Sequence, residues 1–282
     1  MSVDAKIEFP VIEFHSSDLE RGTNGWYRLC KKVREACEIF GCFEVVYDTI
    51  STEVREEMFR LMKELVEVPV ERKQKNTSPL PYHGWVGPCA QVSLLYEGFG
   101  LGDVADYDSV RNFAQLMWPE GDSLKIKYTT SMRMMKYMTP PPGECEIGLF
   151  AHTDKPVSTI ICEDQIPGLE IEVNDGRWIK LTNLSPSSFV FMVGDPLKAW
   201  SNGRLKSTNH RVMMSGDKDR FSIAAFIMPN EGTIIKTPKE LIDEEHPQLF
   251  KDFDFMKFFF FAFSNPARHI DNGQLLYDFA AL

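Results

Sequence analysis

From Arg133 to Met228 apolar residues recur at about every second position, in eight short runs: 133–138, 147–152, 157–162, 169–173, 177–180, 188–193, 208–214 and 220–228. Turn-forming residues separate them, among them Pro167-Gly168, Asn174-Asp175-Gly176 and Ser201-Asn202-Gly203. Successive side chains of a strand point to opposite faces, so a period of two gives each run one face for a core. Eight such segments in series, with no helical period between them, restrict this region to an antiparallel double sheet of jelly-roll type. The expected fold class is therefore mainly β, with helices flanking the double sheet.

Three groups of chemically active residues fall on these runs: His152-Thr153-Asp154, His210 within Thr208-Asn209-His210-Arg211-Val212, and Arg220-Phe221-Ser222. Two residues spaced i and i+2 at a strand end point the same way, so His152 and Asp154 can grip one ion together. A distant histidine completes a face. Two imidazoles and one carboxylate on one side of an octahedron leave three positions open, the arrangement of non-haem Fe(II) oxygenases. A chelating co-substrate needs two of these positions and dioxygen the third. Fe(II) with neutral His152, neutral His210 and ionised Asp154 carries about one net positive charge, which favours a bidentate oxoacid. Arg220 and Ser222, two residues apart on one strand face, offer a guanidinium and a hydroxyl to a second carboxylate. That combination predicts 2-oxoglutarate as co-substrate with Fe(II) and O2. Taken singly, each motif has an ordinary structural use; their joint placement in one β region favours the metal. Zinc hydrolysis would leave Arg220 and Ser222 without a task.

The flanks read as support and cover. Residues 9–14 form a short strand, 26–40 an amphipathic helix stopped by Gly41, 42–47 a strand, 54–65 a second helix and 109–117 a third. Residues 76–102 are rich in Pro, Gly and aromatics, which suits either an active-site wall or lid, or a surface loop anchored by aromatics. Thr237-Pro238-Lys239-Glu240 has the residues of a helix start, and 253–263 reads as a terminal helix laid across the barrel. The expected organisation is one compact unit: a support region over 1–131, the core over 132–236 and a helical cover over 237–282. Candidate substrate walls are Tyr96, Phe99, Phe226, Met228 and the run Phe258 to Phe261. Lys155 reads either as an attractor of anionic substrate or as a solvated strand-end charge.

Several function classes are excluded at this point. The net charge of −10, with no long basic block, opposes polyphosphate and anionic lipid, so nucleic acid is not an expected partner. No stretch reaches the roughly 18 apolar residues of a membrane span, and no signal peptide is apparent at the first residue. Six scattered cysteines without a C-x-x-C pair suit reduced thiols and a cytoplasmic location.

The sequence resembles the plant 2-oxoglutarate/Fe(II)-dependent dioxygenase superfamily over most of its length. The resemblance rests on residues 9–14, Ala36 to Phe43, Leu95 to Leu101, Gly194-Asp195, Trp200-Ser201-Asn202-Gly203-Arg204 and His210-Arg211-Val212. It is most similar to the branch with glucosinolate side-chain dioxygenases, steroidal-alkaloid hydroxylases and auxin-oxidising dioxygenases. The resemblance implies a double-stranded β-helix of cupin-like type. It makes His152, Asp154 and His210 iron ligands, Arg220 and Ser222 the clamp for the distal carboxylate of 2-oxoglutarate, and Tyr137 a further co-substrate contact. Met135 stands where many relatives have Asn. Relatives that halogenate carry Gly in place of the metal carboxylate, so Asp154 points to hydroxylation or a related oxidation, of a small specialised metabolite or hormone in a plant.

One departure stands out. Relatives carry several tens of helical residues between the positions of Trp118-Pro119 and Arg133, where this chain has a short connection. Three readings follow: a second copy of the chain covers the face as a homodimer, the site is more open with an altered reaction, or the copy is catalytically weakened. Alternatives to oxygenation are thus a nonoxidative cyclase or isomerase and a binding protein on the same scaffold.

Overall fold

The computed structural model describes residues 8–47, 49–104, 106–119, 131–164, 166–182, 184–264 and 273–282. The connection over 120–130, and with it the departure from the relatives' helical segment, lies outside the described residues.

The chain opens with β1 (Val11–Glu13), α1 (Asn24–Ile39) and β2 (Cys42–Val46). Thr23 caps α1 by accepting from the Trp26 amide, and Gly41 ends it at φ +69°. That glycine is required twice, because a Cβ there would also run into the Lys206 carbonyl. Next come α2 (Thr52–Val66), α3 (Val70–Lys73), β3 (Trp85–Val86), β4 (Tyr96–Asp103) and α4 (Tyr107–Met117). Ser51 caps α2, and Asp106 caps α4 by accepting from the amides of Asp108 and Ser109.

The β region holds β5 (Ser131–Tyr137), β6 (Cys145–His152), β7 (Ser158–Glu163), β8 (Leu169–Glu172), β9 (Trp178–Lys180), β10 (Ser188–Val193), α5 (Asp195–Trp200), β11 (His210–Ser215) and β12 (Arg220–Ile227). All eight runs read from the period of two are strands. They divide between an eight-stranded sheet, in the order β1-β2-β10-β7-β12-β5-β4-β3, and a four-stranded sheet, in the order β6-β11-β8-β9. All strand pairs are antiparallel except β1 with β2. This is the jelly roll, widened at both edges of the larger sheet by N-terminal strands. The chain finishes with β13 (Ile234–Ile235), β14 (Phe253–Asp254), α6 (Phe255–Phe263) and α7 (Gln274–Ala280).

Three features differ from the sequence expectation. Residues 76–102 are not wholly loop: β4 pairs with β5 along its length, placing Tyr96 opposite Tyr137 and Gly100 opposite Arg133. Gly98, Gly100 and Gly102 carry no side chain and so hide the alternation. Thr237 does not start an α-helix. Its hydroxyl donates to the Ala199 carbonyl at 3.1 Å, and only one 3-10 turn, Lys239–Leu241, follows. Finally, Phe99 faces outward from the barrel, as described below.

Two cores bracket the double sheet. On the outer face of the larger sheet, Phe59, Met62 and Leu65 of α2 and Val110 and Met117 of α4 pack on Phe99, Leu101, Met134 and Phe221. At the other end, Phe255, Phe258 and Phe259 of α6 join Leu276 and Ala280 of α7. Phe255 and Phe258 are fully buried, each contributing about 1.5–3 kcal/mol by removal from water. That burial fixes α6 across the barrel mouth. Among the described residues no helix is long and apolar enough to cross a membrane.

Candidate functional site

His152 ends β6 and His210 begins β11, and the antiparallel register makes them direct partners. Their rings lie 4.3 Å apart between centroids. Each Nδ1 is used by the backbone, His152 on the Phe150 carbonyl at 2.7 Å and His210 on that of Thr208 at 3.1 Å. Donation from Nδ1 fixes the tautomer and leaves Nε2 with its lone pair free for a metal.

Asp154, two residues beyond His152, places Oδ1 3.8 Å from each Nε2. Its other oxygen accepts from Thr159 Oγ1 at 2.5 Å, so the carboxylate is held from behind and presents one oxygen to the imidazoles. All three donor atoms lie within 4.8 Å of one another. Two neutral nitrogens and one anionic oxygen converging on one point fit Fe(II) in donor type and charge.

Burial, reinforced by the neighbouring His210, pushes the His152 imidazole down to about 4 from its ordinary 6.5. The unfolded chain therefore takes up a proton below about 6.5 that the folded chain refuses until about 4. Stability of the chelator-treated protein is expected to be fully present above that window and to decline as pH falls through it. Urea midpoints at pH 7.5, 5.5 and 4.5, compared with those of a His152→Gln variant, measure this; equal pH slopes in the two proteins would count against it.

The turn carrying Asp154 is locked from below. Lys155 Nζ donates to Asp195 Oδ2 at 2.8 Å, Thr153 Oγ1 to the same oxygen at 3.0 Å, and Ser207 Oγ to Asp195 Oδ1 at 2.7 Å. Lys155 is buried and ion-paired, so it is not a solvated charge; it lines the cavity with its ammonium engaged by Asp195 and Thr153.

Arg220 and Ser222 lie deeper on β12, fully buried. Arg220 Nη1 donates to Ser222 Oγ at 3.2 Å, Nε to the Ile166 carbonyl at 3.1 Å, and Nη2 to Glu163 Oε2 at 2.5 Å. The guanidinium lies over the Tyr137 ring at 5.1 Å. Gly168 makes room for it, since a Cβ there would sit 2.9 Å from Arg220 Cδ. Burial disfavours the charged guanidinium most, but Glu163, Tyr137 and Asp164 together offset it and hold its pKa above the ordinary arginine value. The Tyr137 hydroxyl rests against Met135 Sδ at 3.6 Å.

A cavity opens above the three donors, with His152 and Asp154 in its wall. Tyr96, Phe226 and Met228 line it, whereas Phe99 does not. Tyr96 and Phe99 are three residues apart on β4, and an odd separation in a strand sends side chains to opposite faces. Phe99 accordingly belongs to the outer core with Met62 and Met134. Of the run Phe258 to Phe261, Phe259 lines the cavity, joined by Phe263 one turn further along α6; Phe258 is core and Phe260 is exposed. The sequence reading missed Thr159, Glu163 and Arg133. Arg133 shares a strand face with Met135 and Tyr137, a signal present in the 133–138 run; Thr159 and Glu163 depend on pairings across the sheet that no spacing announces.

The model for the 2OG-Fe(II) oxygenase superfamily matches residues 128–229, which contain all three donors and the Arg220/Ser222 pair. A second model, the N-terminal region of non-haem dioxygenases in morphine synthesis, matches residues 9–120. The probable 2-oxoglutarate-dependent dioxygenase AOP1 of Arabidopsis thaliana is 35% identical, with 90% of each chain covered. This chain belongs to the 2OG-Fe(II) oxygenase superfamily. Among solved structures, the rice dioxygenase for auxin oxidation superposes with a TM-score of 0.75 at 27% identity, covering 97% of this chain and 100% of the other. The dioxygenase for auxin oxidation 1 of Arabidopsis thaliana, solved with 2-oxoglutarate, gives 0.71 at 27% identity, covering 85% and 100%. The protein is thus a 2-oxoglutarate/Fe(II)-dependent oxygenase with a cupin-like jelly roll, and a nonoxidative or purely binding role is not supported.

Proposed function

We propose that this oxygenase hydroxylates a small specialised metabolite or hormone of a plant, with His152, Asp154 and His210 holding Fe(II) and Arg220 with Ser222 holding the distal carboxylate of 2-oxoglutarate. The observation that carries this reading is the convergence of the three donor atoms, within 4.8 Å of one another, at an apolar cavity. When bound, Fe(II) supplies dioxygen activation coupled to decarboxylation of 2-oxoglutarate to succinate and CO2. The chain's own residues do the rest. Thr159 orients the Asp154 carboxylate, and the carbonyls of Phe150 and Thr208 orient the imidazoles. Tyr137 supports the Arg220 guanidinium from one face. Phe226, Met228 and Phe259 exclude water and press an apolar substrate body against the donors.

The resemblance to proteins named for auxin oxidation supports a hormone-sized organic substrate over a macromolecule. Six free thiols among the described residues support a reducing compartment, the cytoplasm. Incubation of the protein with Fe(II), 2-oxoglutarate and a panel of plant small molecules, following succinate and product mass together, tests the reading. Succinate in step with a product one oxygen atom heavier is expected. A panel compound turned over without succinate would overturn it.

A further inference from the structure

A second buried arginine lines the cavity, and unlike Arg220 it has no ion-paired acid among the described residues. Arg133, on β5, is 8% exposed and lines the cavity wall. Its guanidinium is held between two aromatic rings, 4.6 Å from the centroid of Tyr82 and 5.3 Å from that of Tyr96. The Nε and Nη2 atoms are buried without a hydrogen-bond partner. These two N–H groups form the parallel pair along one edge of a guanidinium, whose spacing matches the two oxygens of a carboxylate.

An unpaired buried cation loses its hydration, and cation–π contacts return only part of that loss. The described residues place no ion-pairing acid on it to close the difference. Asp154 is the only acid in the cavity wall among the described residues, and it is already engaged by Thr159 and the two imidazoles. At the deeper arginine the same problem is solved by Glu163.

The surrounding structure holds the guanidinium in this place. Tyr82 adopts φ +62°, a strained conformation for a non-glycine residue. Its ring also packs edge-on to Phe263 of α6 at 5.2 Å between centroids. Gly100, opposite Arg133 on β4, lets the loop bearing Tyr82 come close, since a Cβ there would sit 2.5 Å from the Tyr82 carbonyl oxygen. The arrangement fixes the guanidinium plane beside the cavity, with Nε and Nη2 buried and unpartnered.

We infer that Arg133 recognises the substrate through a carboxylate, and that the substrate class is an organic acid with an apolar or aromatic body. The inference rests on the cavity being the substrate site of the proposed function. In that reading both carboxylates of 2-oxoglutarate are already placed, one at the metal donors and one at Arg220. Arg133 is four residues up β5 from Tyr137, the partner of Arg220, which is ~13 Å along a strand. The substrate acid anchors there, and its body lies along Phe226, Met228 and Phe259 toward His152 and Asp154.

The test is equilibrium binding to the Fe(II)- and 2-oxoglutarate-loaded protein under argon, using 3-phenylpropanoate and naphthalene-2-acetate against their neutral amides. Wild type is expected to bind at least one acid tenfold or more tightly than its amide. Arg133→Met should equalise acid and amide, and Arg133→Lys should retain part of the preference, which also guards against loss of the fold in the first variant. Affinity for 2-oxoglutarate, measured in parallel, should be unchanged in both. Equal binding of acid and amide by wild type, or no acid binding, overturns the inference. A loss of 2-oxoglutarate affinity in Arg133→Met with the acid preference intact also overturns it, by assigning Arg133 to the co-substrate. Failure of wild type to bind 2-oxoglutarate at all would instead strike the proposed function.

Discussion

Asp154→Ala is expected to reduce substrate-dependent succinate formation to background, and His152→Ala to do the same. The reason is charge and geometry together. Asp154 is the one anionic donor of the set, and its Oδ1 faces both imidazoles at 3.8 Å, so its removal leaves two neutral nitrogens on a doubly charged ion. Without Asp154 the two imidazoles alone would have to hold the ion, so 2-oxoglutarate and substrate would no longer meet a fixed donor set. A graded companion separates this from a general loss of fold. Thr159→Val removes only the 2.5 Å hydrogen bond behind the carboxylate, and loss of such an orienting contact typically costs about 10–100-fold in metal affinity or activity. Succinate production and iron content after desalting, read for all three variants, check the series. Unchanged rates in Asp154→Ala would remove this residue from the metal site.

The order of effects shows what the sequence made legible. His152 with Asp154, just past the end of β6, and Arg220 with Ser222, on β12, are each two residues apart, and the period of two was enough to put each pair on one face. His210 is distant in sequence and was singled out because a metal face needs a third donor; the register of β6 with β11 places it opposite His152. What the pattern could not carry were contacts set by register between remote strands. Glu163 meets Arg220 across 57 residues because β7 and β12 pair with Ser222 opposite Glu163. Arg133 was visible as a strand residue, yet its meaning depends on Tyr82 and Tyr96, which arrive from a loop and from a glycine-rich strand that the alternation did not reveal. The same three glycines concealed that Phe99 and Tyr96 face different cores.

Glu163→Gln is the second large effect. Arg220 is 1% exposed, and Glu163 is the acid with which it forms its ion pair, at 2.5 Å. Removing one member of a buried pair typically costs about 3–5 kcal/mol, because the remaining charge has neither water nor a counterion. Glutamine keeps an oxygen able to accept from Nη2 but cancels the charge, so the expected loss lies near the lower end, about 3 kcal/mol, in the absence of 2-oxoglutarate. The sign reverses for the co-substrate. In the proposed complex two carboxylates, Glu163 and the distal group of 2-oxoglutarate, share one guanidinium and repel each other; the variant leaves the guanidinium to the ligand alone. Affinity for 2-oxoglutarate should therefore rise, and saturating 2-oxoglutarate should stabilise the variant more than the wild type, since a ligand that binds only the folded state stabilises it in proportion to the logarithm of its saturation. Urea denaturation with and without 2-oxoglutarate, in both proteins, reads the two effects separately. Equal stabilisation of wild type and variant by the co-substrate would show that Arg220 is reserved for Glu163 and that the distal carboxylate binds elsewhere.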